Sequence, residues 1–117
     1  MARVFYVHWN DGEAVERAAA LVAAGHSVRI HNSTSAQADL KTDLPDVLVV
    51  SLDRLPSHGR AIVEWLWEAK RRQHIPVVFE GGAPDKVAAT RAKFPHAVYV
   101  ERAETVTALA ALGIPEA

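Results

Sequence analysis

One stretch constrains this chain more than any other: Leu44-Pro45-Asp46-Val47-Leu48-Val49-Val50-Ser51. Pro45 and Asp46 make a turn, and four aliphatic residues then run without a polar interruption. Ser51-Leu52-Asp53-Arg54-Leu55-Pro56-Ser57-His58-Gly59 returns to polar and turn-forming residues. A short, uninterrupted apolar run between turn signals suits a strand buried on both faces, as in a parallel sheet covered by helices. In an open α/β sheet, sites form at the carboxyl ends of such strands. Ser51, Asp53, Ser57 and His58 are therefore the first residues to weigh for chemistry.

The flanking sequence repeats the same unit. Val4-Phe5-Tyr6-Val7 reads as a first strand, with His8-Trp9-Asn10 at its carboxyl end. Asn10 or Asp11 can cap the helix that follows. Apolar residues at Ala14, Val15, Ala18, Leu21 and Val22 give that helix its inward stripe, and Gly25 ends it in a left-handed cap. Val28-Arg29-Ile30 is a second strand. Residues 32–43 are small and polar, with room for a short helix. Gly59 to Gln73 reads as a long helix with Ile62, Val63, Leu66 and Ala69 inward. Pro76 to Glu80 is the fourth strand, closed by Gly81-Gly82. Pro84 opens a helix to Phe94. Ala97 to Val100 is the fifth strand, and Glu104 to Leu112 a last helix ended by Gly113. The alternation βαβαβαβαβα implies a parallel sheet with helices on both faces.

Composition narrows the function classes. A chain of 117 residues without linker or repeat is one domain, residues 1–117. The formal net charge is −1 with both signs interspersed, so there is no basic footprint for nucleic acid or membrane. No Cys is present, which excludes disulfides and thiolate metal sites. No apolar run approaches the roughly 20 residues that span a bilayer. The start, Met1-Ala2-Arg3-Val4-Phe5, lacks a long apolar stretch, and a cytoplasmic protein is expected.

Five βα units, a Pro-Asp before strand three and a Pro…Gly loop after it resemble the receiver domain of two-component response regulators, over nearly the whole chain. The resemblance implies a flavodoxin-like (βα)5 three-layer sandwich with a five-stranded parallel sheet in order 2-1-3-4-5. It also implies Mg²⁺-dependent transfer of phosphate from a histidine kinase to an aspartate. Residue by residue, the chemistry departs from that pattern. The acidic pair that holds Mg²⁺ after strand one falls on His8 and Trp9, with Asp11 nearby. The phosphoacceptor Asp falls on Ser51. The Thr or Ser after strand four falls on Gly81, behind Glu80. The Lys after strand five is matched by Arg102, with Ala103 where the family has Pro. Asp53 lies two residues beyond Ser51, about 7 Å further on in extended chain.

The same edge offers other chemistries. His8, Ser51, Asp53, His58 and Glu80 would converge there and could take a divalent metal or a small molecule. No HxxxH or HxH spacing supports the metal, and hydrogen-bonded strand-end residues are the favoured account of them. Gly81-Gly82 before Pro84 could cradle a phosphate but lacks the P-loop and GxGxxG patterns. Ser57 reads as a helix cap. Trp65 lies at the margin of the helix's buried stripe and Trp67 points away from it, which makes the pair a candidate interaction surface. Lys70-Arg71-Arg72 reads as a solvated helix end.

The sequence thus predicts a degenerate receiver-like domain, not an enzyme, without cofactor, acting through a protein partner or as a homodimer. Val87–Leu112 and the Trp65/Trp67 helix are its candidate faces. A receiver phosphorylated on Asp53 with Mg²⁺ held by Asp11, and a ligand- or metal-binding flavodoxin-like protein, are the alternatives.

Overall fold

The computed structural model describes residues 3–8, 11–31, 44–53 and 56–112, with only the backbone path for 11, 12 and 56–59. Trp9, the 32–43 stretch and Gly113 lie outside the described residues, and so do the side chains of Asp11, Ser57 and His58.

The elements follow the expected alternation. Strands β1 (Arg3–Val7), β2 (Ser27–His31), β3 (Val47–Ser51), β4 (Val77–Glu80) and β5 (Val98–Val100) form one sheet. The described helices are α1 (Asp11–Ala23), α2 (Pro56–Glu68), α3 (Pro84–Lys93) and α4 (Thr105–Ala111). Strand order is β2-β1-β3-β4-β5, and every pairing is parallel. This is the flavodoxin-like arrangement. Arg3 and Asp46 tie β1 to the turn before β3: the Arg3 N–H donates to Asp46 Oδ2 at 2.8 Å, and the Asp46 N–H donates to the Arg3 carbonyl at 2.8 Å.

All five residues of β3 are buried, as a central parallel strand requires. Alternate side chains feed two cores. Phe5, Val7, Leu48, Val50, Val77 and Phe79 pack with α2 residues Ile62, Val63 and Leu66 on one face. Val4, Tyr6, Val47, Val49 and Val78 pack with Ala14, Ala18, Leu21 and Leu109 on the other. The sheet is therefore the middle of three layers.

Three local readings change. Val15 and Val22 are 64% and 57% exposed, so the inward stripe of α1 is Ala14, Ala18 and Leu21 alone. Those three recur at i, i+4 and i+7 on one face, whereas 15 and 22 sit one residue further round. Helix α2 starts at Pro56, three residues before Gly59, because proline suits a first helical turn. It also ends at Glu68 instead of Gln73. Ala69 is extended (φ −100°, ψ 134°) and Lys70–Arg72 form a separate 3₁₀ turn.

That turn supplies the cap of α2. Arg72 donates from Nη2 to the Trp65 carbonyl at 2.8 Å and from Nε to the Leu66 carbonyl at 3.0 Å. Gln73 donates to the Trp67 carbonyl at 3.0 Å. These bonds satisfy carbonyls that a helix end leaves without partners. Arg72 is thus part of the helix terminus, not a free basic residue, and its guanidinium lies 4.0 Å from the Trp65 ring centre. Gly25 ends α1 as expected. At φ 92° it lets the Gly25 N–H reach the Val22 carbonyl (2.9 Å) and the His26 N–H reach the Leu21 carbonyl (3.2 Å), a Schellman pair.

Candidate functional site at the carboxyl edge of the sheet

The strand ends that should build a site do meet. Ser51 at the end of β3 is in register with Glu80 at the end of β4, and Val7 with Val50. His8 follows β1 directly.

Asp53 turns back toward the sheet. Its Oδ1 accepts the Gly82 N–H at 2.8 Å, and its Oδ2 is ion-paired with Arg17 Nη1. Its own N–H donates to Ser51 Oγ at 3.3 Å, and Arg17 Nη1 lies 3.4 Å from the same hydroxyl. Arg17 comes from α1, 36 residues away in sequence. Gly81 explains how the carboxylate fits. A Cβ on Gly81 would lie 2.6 Å from Asp53 Oδ2 and 2.9 Å from Oδ1, so the carboxylate occupies the space that a side chain at 81 would take. The Thr or Ser of the receiver pattern could not stand there with Asp53 in this position.

Burial is the largest single influence on the Asp53 carboxyl and pushes its pKa up. The Gly82 N–H bond, the Arg17 bond and charge, and the charge of Arg102 together outweigh it and hold the group below its ordinary value of 3.8. A carboxyl with a lowered folded-state pKa adds stability above its unfolded pKa and loses it as pH falls through the folded value. The stability difference between wild type and Asp53→Asn should therefore be constant near neutrality and shrink below about pH 4. Urea melts of both proteins across that range check this. A gap that persists unchanged in acid contradicts it.

Glu80 is committed elsewhere. Its carboxylate is buried on the α1/α4 side of the sheet, where the Tyr6 hydroxyl donates to Oε1 and the Thr105 hydroxyl to Oε2. Burial first, and then the Glu80 charge and hydrogen bond, push the Tyr6 phenol well above its ordinary pKa. His8 is buried too. Its Nε2 lies 2.9 Å from Glu13 Oε1, its N–H donates to the His31 carbonyl at 3.1 Å, and its ring stacks on Tyr6. Glu13 also lies 3.9 Å from Arg17, one helical turn on.

The residues placed together are thus His8 with Glu13 and Arg17, Arg17 with Ser51 and Asp53, and Asp53 with Gly82. Arg102 adds its charge from beyond β5. Arg17, Glu13, Tyr6 and Thr105 were not among the residues singled out from sequence. A faint signal existed for two of them: Glu13 and Arg17 are four apart and flank the buried Ala14 and Ala18, at the end of α1 nearest the strand ends.

The described residues do not fit Mg²⁺. The position next to Asp53 holds a guanidinium, His8 offers an imidazole already turned to Glu13, and Glu80 is held by two hydroxyls. Among the described residues no group of three His, Cys, Asp or Glu side chains could hold a metal ion. No described helix is long and apolar enough to cross a membrane.

Trp67 is not turned away from the core. Its indole N–H donates to the Ile75 carbonyl at 2.9 Å and its ring meets Phe94 edge-on, 6.1 Å between centres. Trp65 is half-buried beneath Arg72. Both pack against the α2-side core. The other face singled out from sequence, Val87–Leu112, contributes to a cleft of 490 Å³ between α3 and β5, walled by Phe79, Val87, Arg91, Tyr99 and Glu104.

At the level of sequence, no family model and no curated protein matches the chain. Solved structures do match. A structure assigned as a response regulator from Chloroflexus aurantiacus J-10-fl superposes with a TM-score of 0.76 at 19% identity, over 92% of this chain and 93% of that one. The Vibrio cholerae chemotaxis protein CheY4 gives 0.68 at 18% identity, over 86% and 84%. Response regulator Rcp1 in a Mn²⁺-bound form gives 0.67 at 17% identity, over 86% and 80%. In fold, this chain is a receiver-like domain of the CheY type.

Proposed function

We propose that this receiver-like domain is a regulatory protein-interaction module that works without aspartyl phosphate and without Mg²⁺. One observation carries the reading: the side chain at the end of β3 is the buried hydroxyl of Ser51, and the carboxylate two residues on, Asp53, is already engaged by Arg17 and Gly82. An attacking carboxylate needs a free oxygen beside a metal-bound phosphoryl group. Here one oxygen faces a guanidinium and the other a backbone N–H. Rcp1 is described in a Mn²⁺-bound form; in this chain the group beside Asp53 is the Arg17 guanidinium. Output then rests on surface contact with a protein partner or a second copy, and the cleft between α3 and β5 is one open face among the described residues that could serve it.

Incubation with acetyl phosphate and Mg²⁺, followed by intact mass measurement, tests the proposal. No phosphate adduct is expected, and beryllofluoride with Mg²⁺ should leave Trp fluorescence unchanged. A Mg²⁺-dependent adduct that Asp53→Asn abolishes would make the chain a conventional receiver instead.

A further inference from the structure

Asp53 is a partly exposed acid whose two carboxylate oxygens are each engaged. Its two oxygens meet a backbone N–H from a turn of two positive-φ glycines (Gly81 at 70°, Gly82 at 91°) and a guanidinium from α1. The Gly81 N–H is taken by the Val100 carbonyl at 3.1 Å, so the turn offers the anion the single N–H of Gly82, and guanidinium is the side chain best matched to carboxylate and phosphate oxygens. The Arg17 side chain is only 14% exposed, so its charge is set in place before any ligand arrives. The empty Cβ position of Gly81 is what leaves room for the anion. Three separate parts of the chain therefore build one oxyanion site: α1, the loop after β3 and the loop after β4.

We propose that this is a preformed site for a small oxyanion, filled in the native chain by the tethered carboxylate of Asp53, which clamps α1 and the two loops in a single arrangement. Asp53 and the Gly81–Gly82 turn are thereby held together without any added group. Remove the carboxylate, and the site opens to a free oxyanion of the phosphate or carboxylate class. The inference rests on the reading that Asp53 carries no phosphate. The two fail separately: an adduct on the wild type ends that reading, while the titration below concerns a variant that has no Asp53 to modify.

The test is Asp53→Ala, melted in inorganic phosphate and in chloride of equal ionic strength. The variant should melt about 3–8 °C below wild type in chloride, the shift expected when a domain of this size loses one charge-assisted contact. Phosphate at millimolar concentration should restore at least half of that loss, since a ligand that binds only the folded state raises its stability. Wild type should gain nothing from phosphate over chloride, because its site is full. Asp53→Ala with Arg17→Ala should show no recovery. Equal phosphate gains in wild type and variant, or recovery that survives loss of Arg17, would overturn the proposal. If Asp53→Ala does not fold in chloride, folding in phosphate supports the site and failure in both overturns it. Asp53→Asn supplies a further arm. Its amide still fills the space and still accepts from Gly82, so it should melt below wild type and show no phosphate recovery; recovery there counts against the site.

Discussion

Gly82→Ala is expected to destabilise the domain by about 2–4 kcal/mol, from backbone strain and overpacking together. Gly82 sits at φ 91°, a conformation that L side chains adopt only with strain. A Cβ there would lie 2.6 Å from the Cβ of Leu52 and 3.4 Å from its carbonyl oxygen. Leu52 cannot yield, since it is buried in the α2-side core and its N–H is bonded to the Glu80 carbonyl at 2.9 Å. Alanine keeps the N–H that Asp53 accepts, so the loss reflects the crowded turn and not a deleted hydrogen bond. Urea denaturation checks this: the midpoint should fall with the slope unchanged. A loss under about 0.5 kcal/mol, the range of an ordinary surface substitution, would show that the turn after β4 moves freely, and would weaken the picture of a preformed site there.

The second large effect concerns Glu80. A buried carboxylate is tolerated only when its oxygens are satisfied, and here two hydroxyls from distant parts of the chain do so. Tyr6→Phe removes one donor while leaving the ring's packing intact, so it should cost about 1–3 kcal/mol, with Thr105→Val in the same range. Tyr6→Phe combined with Glu80→Leu should cost less than the sum of the two single changes. The double variant no longer leaves a buried carboxylate short of a donor, and apolar replacement of buried polar pairs is often near neutral. Additive losses would mean that the hydroxyl and the carboxylate do not depend on one another. The arrangement also assigns Glu80 a structural part: it pins the start of α4 to the carboxyl end of β4.

Much of the fold was legible because it depends on local patterns. The continuous apolar run at Val47–Val50 marks a two-sided strand. Gly25, Pro84 and Pro95 mark helix ends by backbone chemistry that holds in any context. The misplaced boundaries have equally local causes that sequence reading underweighted. The C-terminal limit of α2 is set by Arg72 and Gln73 side chains folding back onto its carbonyls, and a helical period does not reveal where a side chain will fold back. The inward face of α1 was blurred because Val15 and Val22 are more apolar than the alanines that are actually buried. Ala14 and Ala18 are chosen for size, since small side chains bring the helix close to the sheet.

The candidate site was legible only by subtraction. Ser51 in place of a carboxylate, His8 after strand one and Gly81 in place of a hydroxyl can each be read one residue at a time, and they argue against phosphoryl transfer. Which charges replace the missing ones cannot be read that way. Arg17 and Asp53 are 36 residues apart and share no motif; Tyr6 and Glu80 are separated by 74. The sheet order places β1 between β2 and β3, so α1, which follows β1, starts at the carboxyl edge beside β3, and its Arg17 reaches Asp53 there. By itself the sequence determined the alternating elements, the parallel sheet and the absence of the acidic pattern, because those follow from nearest-neighbour chemistry and period. Only the tertiary structure decided that Asp53 meets Arg17 and Gly82 and that Glu80 is buried against Tyr6 and Thr105, because each depends on contacts that exist only once the strands are side by side.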